Sequence, residues 1–519
     1  MKLLGQDIEF SPQEGVGAPV WIGTAASGAE LRLFAQAVRA ADGRIAAIWG
    51  SDCRLHGRGF RLHCVFGIDA GHAWVSLDLR PEAPVYPDLA DIFPAANRMQ
   101  RATRDMVGIA TASGDQRPWL RHGGWPEGWY PLRHDAPDLG EFANKPTDYE
   151  FVQVGGEGAH EIPVGPIHAG IIEPGHFRFS VIGERVLRLE QRMGYQHKGV
   201  EKLFIGKDID FGARLVGRVS GDSTCAYAWA YACATESACG VPPPPRALAL
   251  RALMLERERI ANHLGDLGAL GNDAALAFGL MQFLRLKEDW LRLNGEVFGH
   301  RFMMDRIVPG GVAADLDPAA LRAIIDQCDV IQREVAELKT VYDEHSGLQD
   351  RFLTTGIINP DLVRELSLTG MAARATGMLL DGRAWRQGYE PPPPYVGLGV
   401  RPASDERGDV AARVAVRFLE IFESLRLLRE IIVGLPAGAT RVELPPVSGG
   451  KGLGVVEGWR GEVLVGVNLD SVGKLARVHP HDPSWQAWPA LEHAVLRDIV
   501  PDFPLINKSF NLSYSGEDL

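Results

Sequence analysis

The sequence predicts an α+β chain, in which a mixed N-terminal module is joined to a helical bundle with β-rich margins. Three observations carry this expectation. Residues 1–135 interleave short β-rich runs with helical ones. Four later stretches, each twenty residues or longer, place apolar side chains at i, i+3, i+4 and i+7. Strand-like alternation flanks those stretches on both sides.

The elements follow in order. "ELRLFAQAVRAADGRIAAIWGSD" reads as a helix, a turn at Asp42–Gly43 and a strand. "RLHCVFGID" and "HAWVSLDLR" read as two strands about a Gly-bearing turn. "RPWLRHGGWPEGWYPLRHD" has no period and reads as a loop, and residues 136–160 read as an exposed linker. The second domain spans 161–519 and begins with strands around Pro174–Gly175 and Gly183. Its helices are "RALALRALMLERERIANHLGDLGAL", "LMQFLRLKEDWLRLNGEVFG", "PAALRAIIDQCDVIQREVAELKTVYDEH" and "GDVAARVAVRFLEIFESLRLLREIIVGL". Alternating charges in "ERERIANHL" and "ESLRLLREII" imply wet helix faces. "EGWRGEVLVGVNLD" returns to strand alternation.

Composition narrows the function classes. The chain has 519 residues and a net charge of -12, without the basic patch that nucleic acid requires. No apolar run approaches the roughly 18–20 residues of a membrane span. The best candidate, "AALAFGLMQFL", reads as a buried helix, and the N-terminus has no signal-peptide core. The expectation is a cytosolic chain, or one peripheral to a membrane through partners. Six scattered cysteines form no C-x-x-C pair and read as small buried hydrophobes. "SGGKGLG" lacks the Ser/Thr and the earlier glycine of a phosphate loop and reads as a hairpin. No G-x-G-x-x-G links a strand to a helix, so nicotinamide binding by this chain is unsupported.

Two stretches hold candidate chemistry. "GYQHKGVEKLF" places His197, Lys198, Glu201 and Lys202 within two helical turns, where His197 and Glu201 suit an i,i+4 pair. "GRVSGDSTCAYA" places Ser220, Asp222, Ser223 and Thr224 before an Ala-rich helix, and each is a good N-cap.

The run from "GPIHAG" and "EPGHFRF" through "YQHKGVEK" and "GRVSGDST" to "VPPPPRALALRALMLERERIANHL" resembles two related families. One is the large subunit of membrane-bound [NiFe] hydrogenases of the formate hydrogenlyase and hydrogenase-4 type. The other is the 49-kDa quinone-site protein of respiratory complex I. The likeness continues through "GDVAARVAVRFLEIFES", where Gly408, Asp409, Arg413, Arg417, Glu420 and Ser424 fit the family's helix, to "EGWRGE" and "VPDFPLINKS". Residues 1–135 resemble the 30-kDa protein of complex I at "PAANRMQRATRDMVGI" and "YPLRHD". A chain that fuses the 30-kDa and 49-kDa types is the hydrogenase-4 arrangement.

The resemblance also marks departures. The hydrogenase metal ligands are two C-x-x-C pairs, and here their positions match Ser220 and Ser223, then Ser513 and Gly516, with Asn511–Leu512 in place of Asp–Pro. Soft thiolates suit that site and hydroxyls do not. The complex I quinone-binding histidine matches His176, while the matching tyrosine position is Gly221. Tyr227, Asp222 and Tyr514 are the candidate substitutes, and Glu201 with His197 is the candidate proton relay. The resemblance implies no cofactor on this chain, and a possible quinone. It implies partners as well: a small [4Fe–4S] protein, antiporter-like and H-type membrane proteins of the complex I kind, and soluble electron-input proteins. The expected role is that of one component of an NADH-quinone oxidoreductase-like enzyme. Its alternatives are a degenerate coupling scaffold and, further off, an active hydrogenase.

Overall fold

The computed structural model describes residues 2–15, 17–138, 149–168, 172–384 and 394–519. The N-terminal module is a five-stranded sheet with spatial order Phe10–Pro12, Val20–Ala25, Gly71–Leu79, Phe60–Ile68 and Arg44–Asp52. Only Val20–Ala25 and Gly71–Leu79 run parallel. Helix Gly28–Ala40 is capped by Ser27, whose hydroxyl accepts from the Glu30 N–H. It ends before Asp42, which adopts the left-handed φ that Asp tolerates in a turn. Helix, turn and strand fall where the sequence puts them.

In the second domain, strands Ala159–Val164, His176–Ile182 and Arg185–Arg192 form one antiparallel sheet, and Gly450–Glu457, Glu462–Leu469 and Leu475–His481 form another. Between them lie helices Thr224–Cys239, Pro245–Asp273, Ala277–Phe298, Pro318–Glu344 and Val410–Val433. The first proline run leads into helix Pro245–Asp273; Pro391–Pro393 of the second run and residues 139–148 of the linker expected at 136–160 lie outside the described residues.

Three expectations fail for physical reasons. The charges of "ERERIANHL" do not face water: Glu256, Arg257, Glu258, Arg259 and His263 are all buried. Each is buried because another element supplies its counter-charge or hydrogen bond. Glu256 takes Arg383 at 2.9 Å and the hydroxyls of Tyr395 (2.7 Å) and Ser424 (2.6 Å). Glu420, from helix Val410–Val433, meets Arg374, Arg259 at 3.3 Å and His263 at 2.7 Å. The stretch "AALAFGLMQFL" is not buried throughout, since Phe278, Met281 and Leu284 form an exposed row at i, i+3 and i+6. Finally, Gly452 and Gly454 sit within a strand rather than at a hairpin turn. A Cβ there would lie 2.0 Å and 1.8 Å from the carbonyl oxygens of Ala234 and Ala230. Those two glycines let the alanine face of helix Thr224–Cys239 lie directly on the strand.

The two domains share a core. Val20, Ala46, Ala47, Trp49, Val65 and Trp74 pack against Leu453 and Leu464. Around this patch, Arg44 and His72 both reach Glu462, at 2.6 and 3.0 Å, and Arg477 donates to the Gly50 carbonyl at 2.9 Å.

Because the clash at Gly454 is with backbone, Gly454→Ala should cost about 1–3 kcal/mol and lower the thermal midpoint of the chain. Gly155→Ala, with open space around its Cβ position, serves as the neutral comparison.

Candidate functional site

The segments around 220 and 513 lie nearly three hundred residues apart and meet in the structure. The Ser220 and Ser513 hydroxyls are 2.8 Å apart. Ser513 caps the short helix Tyr514–Asp518, accepting from the Gly516 N–H at 2.9 Å. Gly516 is required by its neighbour, since a Cβ would lie 2.8 Å from the Asp482 carboxylate. Asp482 in turn accepts the Tyr227 hydroxyl at 2.9 Å. All four positions matched to metal ligands therefore surround one small region.

An ion pair occupies that region. Arg460 Nη1 donates to Asp222 Oδ1 at 2.9 Å and to the Ser223 hydroxyl at 3.2 Å, while its Nε donates to the Asn511 carbonyl. Ser220 adds a 2.9 Å bond to Asp222. Asn511 ends helix Phe503–Phe510 in the left-handed conformation and ties its amide to Asp266 at 2.7 Å. Burial opposes ionisation of Asp222, but Arg460 and the Ser220 hydroxyl outweigh it and bring the carboxyl down to about 2.

These residues do not fit a thiolate-bridged nickel–iron group. Two of the four positions present hydroxyls bonded to each other, a third presents a hydroxyl bonded to Arg460, and the fourth has no side chain. Among the described residues, no three His, Cys, Asp or Glu side chains converge to hold a metal ion.

Beside Asp222 lies a narrow pocket, open to the centre of a water molecule over about 20 Å³ and lined by Asn262, Glu258, Lys287, Asn294 and Phe302. Gly265 makes room for it, because a Cβ there would lie 2.6 Å from Lys287 Nζ. Glu258 does what the serine–aspartate cluster was expected to do. Helix Thr224–Cys239 has no side-chain cap of its own; Glu258 accepts from the N–H groups of Cys225 (2.6 Å) and Ala226 (3.2 Å). Burial nevertheless pushes Glu258 up to about 8, so it carries a proton at neutral pH.

The remaining candidates surround this centre without joining it. His176 is engaged at both nitrogens, through the Gly165 carbonyl (3.3 Å) and Arg178 (3.4 Å). Neighbouring Gly175 packs on Tyr514, whose ring would be 2.8 Å from a Cβ there; burial raises the Tyr514 hydroxyl to about 12. His197 precedes helix Val200–Phe204 and bonds to the Asp518 carbonyl at 2.7 Å, so the expected i,i+4 pair with Glu201 is not formed. Glu201 instead meets Arg477 at 2.6 Å and His479 at 2.8 Å. Burial opposes its charge, yet Arg477 and His479 together bring it down to about 2.

Sequence reading missed Arg460, Asp482, Glu258, Lys287, Arg477 and His479. Arg460 was within reach, inside the matched "EGWRGE", whereas Glu258 is hidden in a charge run that looks like a solvated face.

The fold and these converging segments define the large-subunit class of complex I-type redox machines. The family profile described as "Respiratory-chain NADH dehydrogenase, 49 Kd subunit" matches residues 273–448, and that for the "30 Kd subunit" matches 28–141. Formate hydrogenlyase subunit 5 of Escherichia coli is 30% identical over 92% of this chain and 85% of its own length. Hydrogenase-4 component G of the same organism is 29% identical over 92% of this chain and 84% of its own. In fold, the chain resembles one from the structure of the membrane-bound sulfane sulfur reductase, an archaeal respiratory membrane complex, with a TM-score of 0.65 and 24% identity over 70% of this chain and 99% of that one. The chain belongs to the fused 30-kDa/49-kDa family of large subunits from membrane-bound complex I-like and group 4 hydrogenase-like complexes. Among the described residues no helix is long and apolar enough to cross a membrane.

The Glu201 cluster predicts an acid limb of stability. A carboxyl lowered from 4.5 to about 2 contributes ~3 kcal/mol that is present in full above about pH 4.5 and lost as pH falls toward 2. Glu201→Gln should flatten that limb in acid unfolding followed by circular dichroism. An unchanged limb would refute the assignment.

Proposed function

We propose that this chain is the acceptor-site subunit of a complex I-like oxidoreductase, in which electrons from a partner's [4Fe–4S] cluster reduce a quinone or similar small acceptor beside the Arg460–Asp222 pair. The observation that carries this reading is the pocket at Asp222, which joins hydrogen-bond donors to a proton source. Lys287 and the second amide N–H of Asn294 line it as donors for carbonyl oxygens, Asn262 being committed to the Asp222 and Glu258 carbonyls, and Glu258 lines it as a buried neutral acid. Reducing a quinone to a quinol takes two electrons and two protons. The cluster would supply the electrons, Glu258 one proton and solvent the other. Arg460 holds Asp222 ionised at the pocket edge and fixes the wall on which the acceptor rests.

The reading departs from hydrogen chemistry because the donor set around Ser220, Ser223, Ser513 and Gly516 suits no nickel–iron group. A second reading, a coupling scaffold without its own chemistry, draws support from Tyr227 and His176. Both expected quinone donors are already committed, to Asp482 and to Gly165 and Arg178.

In the purified complex, Glu258→Gln should slow acceptor reduction roughly 10²-fold while reduction of the partner's cluster stays intact. Elemental analysis should find no nickel, and dihydrogen turnover should be absent. Unchanged turnover in Glu258→Gln would favour the scaffold, and stoichiometric nickel would overturn both readings.

A further inference from the structure

A second enclosed pocket lies away from Asp222, where the N-terminal sheet meets the sheet of strands Gly450–Glu457, Glu462–Leu469 and Leu475–His481. Its walls include Trp49, Trp485, His479, His481 and Glu201. Three nitrogens of these walls are buried without a hydrogen-bond partner: Trp49 Nε1, Trp485 Nε1 and His479 Nε2. Their residues are 2%, 3% and 5% exposed, so bulk solvent does not serve them. Buried polar atoms are rarely left unpaired, and three around one space need a common explanation.

The rings cannot turn to find other partners. Trp49 is stacked between His63, at 5.0 Å, and His479, at 4.8 Å, and its ring edge lies 2.8 Å from where a Cβ on Gly466 would be. Trp485 is stacked on His481 at 5.8 Å. The chemistry of the three atoms is also complementary. An indole N–H can only donate. His479 points Nδ1 at the Glu201 carboxylate, 2.8 Å away, which places the proton on Nδ1 and leaves Nε2 a lone pair. Two donors and one acceptor match a molecule that accepts twice and donates once. The space open to the centre of a water molecule is about 20 Å³, above the ~10–15 Å³ that one water needs.

We infer that this junction pocket is a water-binding site, in which a water donates to His479 Nε2 and accepts from the indole N–H groups of Trp49 and Trp485. The water stitches the N-terminal module, through Trp49, to the strand and helix that carry His479 and Trp485. It also gives the sealed Glu201–His479 pair contact with an exchangeable proton. The site is independent of the acceptor reading, because none of its atoms lines the pocket beside Asp222.

The test is a cryo-EM map of the intact complex that resolves enclosed waters, for the wild type and for Trp49→Phe/Trp485→Phe, which keeps an aromatic ring at each position and removes both donors. The expected result is a wild-type peak within about 2.7–3.2 Å of His479 Nε2 and an indole nitrogen, and its loss in the double variant. A map that shows other enclosed waters but none here would overturn the inference, as would an undiminished peak in the double variant. Should the double variant fail to assemble, the wild-type map alone decides.

Discussion

Helices Pro245–Asp273 and Val410–Val433 meet at one buried carboxylate. Glu420 has no access to water and is surrounded by Arg374, Arg259 and His263, drawn from other segments of the chain. Burial alone would keep it protonated; the cations reverse that and hold it well below the usual carboxylate range. Removing one member of such a buried cluster typically costs about 3–5 kcal/mol, because a charge is then left without compensation. Helices Pro245–Asp273 and Val410–Val433 are therefore fixed in register by charge as well as by apolar packing. The network extends through Arg374 to Glu457 at 2.8 Å, and Glu457 begins the segment that delivers Arg460. The guanidinium beside Asp222 is thus placed by charges well behind it.

The same principle explains what could be read from the sequence. Helix, turn and strand of the N-terminal module were legible because their signals are local: an Asp–Gly turn and the apolar patterns on either side of it. The burial of "ERERIANHL" was not, because the partners of Glu256 and Arg259 come from residues 383, 395, 420 and 424, and nothing within the helix announces them. Likewise, the glycines of "SGGKGLG" look like turn formers until Ala230 and Ala234 are seen pressing on them.

The candidate site divides along similar lines. Ser220, Ser223, Ser513 and Gly516 could be paired through resemblance, and they do meet in space. His197 and Glu201 could be paired through helical spacing, and they do not meet, because the helix begins only at Val200 and Glu201 turns toward Arg477 and His479. Spacing fixes which residues share a face only where the helix exists. The roles of Arg460, Asp482 and Glu258 depend on contacts between residues far apart in the chain, which no local pattern encodes.

The position of Glu258 ties electrostatics to architecture. One carboxyl group both faces the pocket and closes the start of helix Thr224–Cys239. A negative charge on it would be drawn to the positive end of that helix's dipole and to the two peptide N–H groups it already holds. Giving up the proton would thus tighten the grip on the helix, and regaining it would loosen that grip. The helix lies flat on the strand that ends at Glu457, so the carboxyl that lines the pocket closes the start of the same helix that covers the sheet.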